Sequence, residues 1–155
     1  MILRELSLSD VEAAARIDRR CFAAWIAYPL EILEECVMSS TCESVGIEED
    51  EVLAGFFIVF YSGPHSAQVV TIDVDPDFRG MGFGKVMMEE LENRARQKDI
   101  RRMFLQVSVK NYPAQSLYKK FGYHVRRILY HYYGPGYHAY LMEKDLSCAE
   151  AASGI

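Results

Sequence analysis

Apolar and polar residues along this chain follow two periods, and the changes between them mark the elements. Residues 1–6 read as a short strand. Val11, Ala14, Ile17 and Cys21 recur at helical spacing behind Ser9-Asp10-Val11-Glu12, which has the form of a capping box, so a first helix is expected over 9–22. Leu30, Leu33 and Val37, following Pro29, predict a second, shorter one. Residues 44–47 and 52–61 read as antiparallel strands about the acidic turn Glu48-Glu49-Asp50-Glu51, and 67–74 as a further strand stopped by Asp75-Pro76. A helical face of Val86 or Met87, Leu91 and Ala95 follows. Met103, Leu105, Val107 and Val109 then alternate with Phe104, Gln106 and Ser108, a strand with one strongly apolar face. Pro113 suits the first turn of a helix whose stripe is Ala114, Leu117, Tyr118 and Phe121 and whose C′ residue is Gly122. Residues 123–133 and 137–146 form a hairpin about Gly134-Pro135-Gly136. The order β-α-α-β-β-β-α-β-α-β-β is a mixed α/β (α+β) pattern over residues 1–146, one domain, and the small, polar tail 147–155 is expected to fray.

Composition narrows the function classes. A chain of 155 residues, half of them apolar, can bury one sizeable core. Its formal net charge of −5 argues against a nucleic-acid binder, and no apolar run reaches membrane-spanning length. The start Met1-Ile2-Leu3-Arg4-Glu5 lacks the apolar run of a signal peptide. Cys21, Cys36, Cys42 and Cys148 show neither a C-x-x-C pair nor zinc spacing, which points to reduced thiols and a cytoplasmic location.

The stretch with the most chemistry is Arg79-Gly80-Met81-Gly82-Phe83-Gly84 between the strand 67–74 and the next helix. Alternate glycines let backbone N–H groups gather about one point, and the orphan N–H groups of the helix start beside them, which makes an anion site, most simply for phosphate. The spacing fits neither a Walker A loop nor a dinucleotide fingerprint.

With Ile72-Asp73-Val74-Asp75-Pro76 before it, this stretch resembles the pyrophosphate loop of the GNAT superfamily, in particular the RimI-like and Ard1-like protein N-terminal acetyltransferases. Leu105-Gln106-Val107 with Asn111, Leu117-Tyr118 and Phe121-Gly122-Tyr123 is similar to that family's second signature, and Tyr132-Tyr133 with Ala139-Tyr140-Leu141-Met142 to its last hairpin. The resemblance implies a mostly antiparallel central sheet with flanking helices and a splayed strand pair that holds acetyl-CoA. It implies that Ile72, Asp73 and Val74 offer backbone groups to the pantetheine arm and the thioester carbonyl. Arg79, Gly80, Met81, Gly82, Phe83, Gly84 and Lys85 would wrap the pyrophosphate, Asn111 would bond the arm, and Tyr118 would act as general acid. Each has a plainer reading: a tight turn for the glycines, a helix cap for Asn111, core packing for Tyr118.

Gln106 stands where the family pattern has the glutamate taken as general base. An amide cannot accept the proton, though it can position a water. His138, in the last hairpin, is an alternative base. An α-amine, with a pKa of about 7.7–8.0, is roughly one-tenth neutral at pH 7, whereas a lysine amine near 10.4 is almost wholly charged. A site without a strong base therefore favours an N-terminal amine. The loop 22–28, ahead of Pro29, is apolar and aromatic, so Phe22 and Trp25 either line a pocket or plug the core; its end, Tyr28 with Pro29 and Leu30, joins Tyr132 and Tyr133 as the expected acceptor-binding set. His124, His131 and His138 lie seven apart with no cysteine or acidic cluster to complete a site, so no metal is expected. The resulting expectation is an acetyl-CoA-dependent N-acetyltransferase acting on a protein or peptide N-terminus as a monomer or weak dimer. The alternatives are acetylation of a small-molecule amine and a non-catalytic acyl-CoA-binding relative.

Overall fold

The computed structural model describes residues 1–148, in two compact units. Seven strands hydrogen-bond in the order β1 (Ile2–Glu5), β2 (Cys42–Glu49), β3 (Val52–Tyr61), β4 (Ser66–Val74), β5 (Arg102–Ser108), β7 (Tyr137–Asp145), β6 (His124–Gly134), and β4 contributes to both units.

The first unit comprises Met1–Phe60 and Val69–Glu89. In it β1 (Ile2–Glu5), β2 (Cys42–Glu49) and β3 (Val52–Tyr61) pair antiparallel. The strand expected over 44–47 is longer at both ends, because only Asp50 and Glu51, at φ 51° and 63°, make the turn. Two positive-φ residues match the twist of a two-residue hairpin. Helices α1 (Val11–Cys21) and α2 (Leu30–Met38) cover the apolar cluster of Leu6, Val11, Ala14, Ala15, Ile17, Leu33, Phe56 and Ile58.

The expected box at Ser9 and Glu12 does not form. The Asp10 carboxylate instead takes the Ser7 N–H at 2.8 Å, and the Arg4 guanidinium meets the same carboxylate at 2.8 Å. A single 3-10 turn, Leu8–Asp10, therefore precedes α1. The Arg4 hydrogen bond holds the Asp10 carboxyl down at about 2.

The second unit comprises Tyr61–Gln68 and the described chain from Glu90. The first residues of β4 pair parallel with β5 (Arg102–Ser108), and the register ends at Gln68↔Phe104. Antiparallel β7 (Tyr137–Asp145) joins β5 to β6 (His124–Gly134), whose register breaks twice, between Val125 and Arg127 and between Leu129 and Gly134.

Helix α3 (Phe83–Gln97) runs from one unit into the other. In the second unit it buries Leu91, Ala95 and also Glu92, whose carboxylate meets Lys144 Nζ at 2.7 Å. Burial, and then Glu92, raise the Tyr123 hydroxyl well above its ordinary value. Helix α4 (Tyr112–Lys120) ends as the sequence predicts. Tyr123 N–H reaches the Tyr118 carbonyl and Gly122 N–H the Lys119 carbonyl, both at 3.0 Å, and Gly122 takes φ 93°. This is a Schellman closure, with the Tyr118 and Tyr123 rings 6.1 Å apart as its apolar contact. The α4 face departs from the expected stripe: Gln115 is buried beside Tyr118 and donates to the Ser108 carbonyl at 2.9 Å. Of the tail 147–155, Ser147 and Cys148 close a 3-10 turn, and 149–155 lie outside the described residues.

In the first unit, Gly55 on β3 lies against β4 so closely that a Cβ there would sit 2.5 Å from the Asp73 carbonyl oxygen. The obstacle is backbone and cannot swing away. Gly55→Ala is expected to lower stability by about 1–3 kcal/mol, read as a fall in the urea midpoint at unchanged slope.

Candidate active site

The end of β4 and the turn after it are built from both directions along the first unit. Asp75 N–H donates to Ala54 O at 2.8 Å, so the backbone groups of Asp73 and Asp75 point toward β3. By strand alternation those of Val70, Ile72 and Val74 point to the opposite edge. Carbonyls on that edge are held by side chains. Tyr28 Oη donates to Val70 O at 3.2 Å, while Cys21 Sγ and Arg79 Nε reach Val74 O at 3.2 and 3.4 Å. The β4–β5 register ends at Gln68↔Phe104, so on that edge the N–H groups of Ile72 and Val74 lie beyond the last paired residue.

Two buried acids brace this strand. Asp18 on α1 is 0% and Asp73 1% exposed. Asp18 Oδ2 accepts the Tyr28 N–H at 2.6 Å, and Asp73 Oδ1 accepts the Thr71 hydroxyl. Burial first, and then the Asp18 carboxyl, raise Asp73 well above the ordinary carboxylate value, so it keeps its proton where an exposed acid would not.

The turn follows directly. Asp75 caps a short 3-10 turn by accepting Asp77 N–H at 2.9 Å, and Arg20 ties α1 to both acids at 2.7 and 3.2 Å. Gly80 and Gly82 take φ 79° and 81°. A Cβ on either would meet nothing within 4 Å, so the space above the turn is open and the positive φ alone requires glycine. The first helical bond of α3 is Val86 N–H to Gly82 O at 3.1 Å. The N–H groups of Phe83, Gly84 and Lys85 precede it and are the orphan donors of the helix start. Phe83 contributes its backbone only: its ring is buried and stacks on Phe78 at 6.5 Å. Met81 and Lys85 are exposed. Positive-φ glycines, open space and orphan donors together fit a pyrophosphate, and the free N–H groups of Ile72 and Val74 fit an amide-bearing arm.

Tyr28 and Leu30 pack against the first unit's core and Pro29 caps α2, so the segment expected to bind acceptor also anchors α1 to β4. Trp25 is 54% exposed and so does not plug the core.

In the second unit, Gln106 Oε1 accepts from Gln68 Nε2 at 2.8 Å, which leaves the Gln106 NH2 as a donor. Asn111 caps α4, its Oδ1 accepting Ala114 N–H at 3.3 Å. Tyr118 is buried. His138 Nδ1 accepts the His131 N–H and His131 Nδ1 accepts the Gly136 N–H, both at 2.8 Å. Neutral His138 therefore carries its proton on Nε2 and has no lone pair to spare as it stands. The Tyr132 and Tyr133 rings meet edge to face at 4.9 Å on the same hairpin.

Gln68, Asp18 and Thr71 escaped the sequence reading. The available signal for Asp18 was its place beside Ile17 on a helix face otherwise built of valine, alanine and isoleucine.

Comparison with known proteins identifies the family. Residues 11–123 match the model of the acetyltransferase (GNAT) family. An N-alpha-acetyltransferase of Sulfolobus acidocaldarius is 32% identical over 154 residues, covering 93% of this chain and 92% of that protein. A Bacillus subtilis protein named as a candidate [ribosomal protein bS18]-alanine N-acetyltransferase is 31% identical over 134 residues, 84% and 85% of the two chains. The crystal structure of the Escherichia coli ribosomal-protein-S18-alanine N-acetyltransferase shares the fold at a TM-score of 0.85 with 22% identity, over 94% of this chain and 93% of that one. The turn after β4, the mixed sheet and these relatives agree, and the chain belongs to the GNAT family of acetyltransferases.

Proposed function

We propose that this acetyltransferase acts on the α-amine of a protein N-terminus. The observation that carries the acetyl-CoA half of the reading is the turn at Gly80 and Gly82, with open space above it and orphan donors on α3 and on the free edge of β4. The relatives named for N-alpha acetylation support the acceptor half. Acetyl-CoA supplies the activated acyl group.

The chain's own residues orient and move protons. The turn residues Arg79 to Lys85 hold the anionic end, chiefly through backbone N–H groups, and the N–H groups of Ile72 and Val74 orient the arm, with that of Val74 also a donor to developing negative charge. Asp73 shapes this edge from within by its buried carboxyl. Tyr118 Oη is the proton source for the leaving group, and Asn111 holds α4 in register beneath it. Gln106, tied by Gln68, offers its NH2 to a water or an acceptor carbonyl. Within the first unit the acceptor contacts proposed are Tyr28, Pro29 and Leu30, and within the second Tyr132 and Tyr133.

No carboxylate stands at the base position, and His138 reaches a proton only by giving up a backbone bond. An α-amine with a pKa of about 8 needs least help, since roughly a tenth of it is already neutral at pH 7. The thiols of Cys21, Cys36 and Cys42 are free, in keeping with a cytoplasmic enzyme. A thiol-release assay with acetyl-CoA tests the reading on a panel of peptides bearing free N-termini, with polyamines as controls. Peptide turnover is expected. Turnover of polyamines alone would replace the acceptor, and binding without turnover would make the chain a non-catalytic relative.

Three variants probe the parts. Gly82→Val puts a branched side chain at φ 81° and into the open space, and is expected to weaken acetyl-CoA by at least about tenfold in calorimetry. Unchanged affinity would move the pyrophosphate elsewhere. Tyr118→Phe keeps the buried ring and is expected to lower kcat by about 100-fold with acetyl-CoA affinity within about threefold; equal kcat would make Tyr118 a packing residue. Gln106→Glu keeps the Gln68 bond, since Nε2–H donates to a carboxylate at least as well. The new acid is ionised at about pH 6 and can relay a proton from the ammonium, so kcat/KM is expected to rise severalfold below neutral pH. A loss across the whole pH–rate profile would show that the amide NH2 is the functional group.

A further inference from the structure

A groove of about 500 Å³ opens on the second unit, over the face of β5 that carries Arg102, Phe104 and Gln106. Met103, Leu105 and Val107 alternate to the buried side. Leu141 and Glu143 of β7 stand opposite Gln106 and Phe104, and Arg127 of β6 stands opposite Leu141. Arg126 and Arg127 both line the groove although consecutive strand residues normally face opposite ways. The register break between Val125 and Arg127 accounts for it: the bulge places an additional side chain on this face.

The charge in the groove is unbalanced. Glu143 takes both Arg102, at 2.7 Å, and Arg126, at 3.0 Å, while Arg127 makes no ion pair or hydrogen bond among the described residues. Three guanidinium groups against one carboxylate leave 3 − 1 = +2 in a chain whose formal net charge is −5. Phe104, Leu129 and Leu141 supply apolar surface between the charges. A planar fork with its donors free above an apolar floor suits a carboxylate on a short aliphatic stem.

We propose that this groove reads an acidic side chain in the acceptor protein, three or four residues from its N-terminus. The inference rests on the reading above, in which Gln106 marks the reacting end. Arg127 is two strand spacings from Gln106 across β7, about 10 Å, and Arg102 is four residues along β5, about 13 Å. An extended peptide covers those spans in three to four residues at about 3.3 Å each. The net charge of −5 on the chain disfavours a polyanionic nucleic-acid backbone more than a single side-chain carboxylate.

The test is thiol release from acetyl-CoA with matched peptides that differ only in Glu or Gln at the fourth and fifth positions. The Glu peptides are expected to show at least about tenfold higher kcat/KM, carried by KM and shrinking as salt is raised. Arg127→Met is expected to bring the two within about twofold, and Arg127→Glu to turn the preference toward Lys peptides. Equal use of Glu and Gln peptides by the unaltered enzyme overturns the subsite and leaves the N-terminal reading standing. No turnover of any peptide, with acetyl-CoA still bound, overturns both. Inhibition by a single-stranded RNA oligonucleotide that depends on Arg127, without a Glu preference, assigns the groove to phosphate and overturns the proposal.

Discussion

The first unit depends on one constraint: the last residues of β4 must stay extended while the N–H groups along one edge go unpaired. An extended strand with idle donors invites another backbone or collapses onto its neighbour. Here the opposite edge is fixed to β3 through Asp75 and Ala54, and Gly55 lets the two backbones come close. The carbonyls of the free edge are taken by Tyr28, Cys21 and Arg79, side chains rather than a strand. Arg20 then pins the turn that aims the chain into the glycines. Loop, cap and helix start downstream inherit their position from this arrangement.

The second unit solves a different problem with polar residues in covered places. Gln115 bonds the Ser108 carbonyl and Glu92 meets Lys144 through Oε1, while Glu92 Oε2 is buried without a hydrogen-bond partner among the described residues; each pair ties a helix to a strand end. Gln68 holds Gln106, and the two hairpin imidazoles are each occupied by a backbone N–H. Proton acceptors are thus scarce among the residues expected to do chemistry, which suits an acceptor amine that arrives partly neutral.

Much of this was legible from local rules. Gly122 and Asn111 announce the ends of α4 because caps are governed by residues within one turn, and the alternate glycines announce an anion turn because only glycine takes positive φ freely there. The box expected at Ser9 and Glu12 stands two residues earlier, on Ser7 and Asp10, whose carboxylate Arg4, on another element, also takes. Asp18 and Gln115 were illegible because a buried polar residue is stabilised by partners distant in sequence, Tyr28 N–H in one case and Ser108 O in the other. The arginine-lined groove depends on a bulge that reverses side-chain parity, and a period-two reading of β6 assigns Arg126 and Arg127 to opposite faces.

Asp10 and Asp73 give the protein an uneven proton inventory. Asp10, held at about 2, is ionised in the folded chain at pH values where the unfolded chain has begun to protonate; its contribution is complete above the ordinary carboxylate pKa and is lost as pH falls through 2. Asp73, raised by burial, does the reverse: its contribution is complete below that ordinary value and is lost as pH rises through the raised one. Together the two acids favour the folded state most near pH 4, about the unperturbed aspartate value. Between there and the raised Asp73 value, each molecule that unfolds sheds a proton, so its calorimetric enthalpy carries the ionisation heat of whatever buffer receives it.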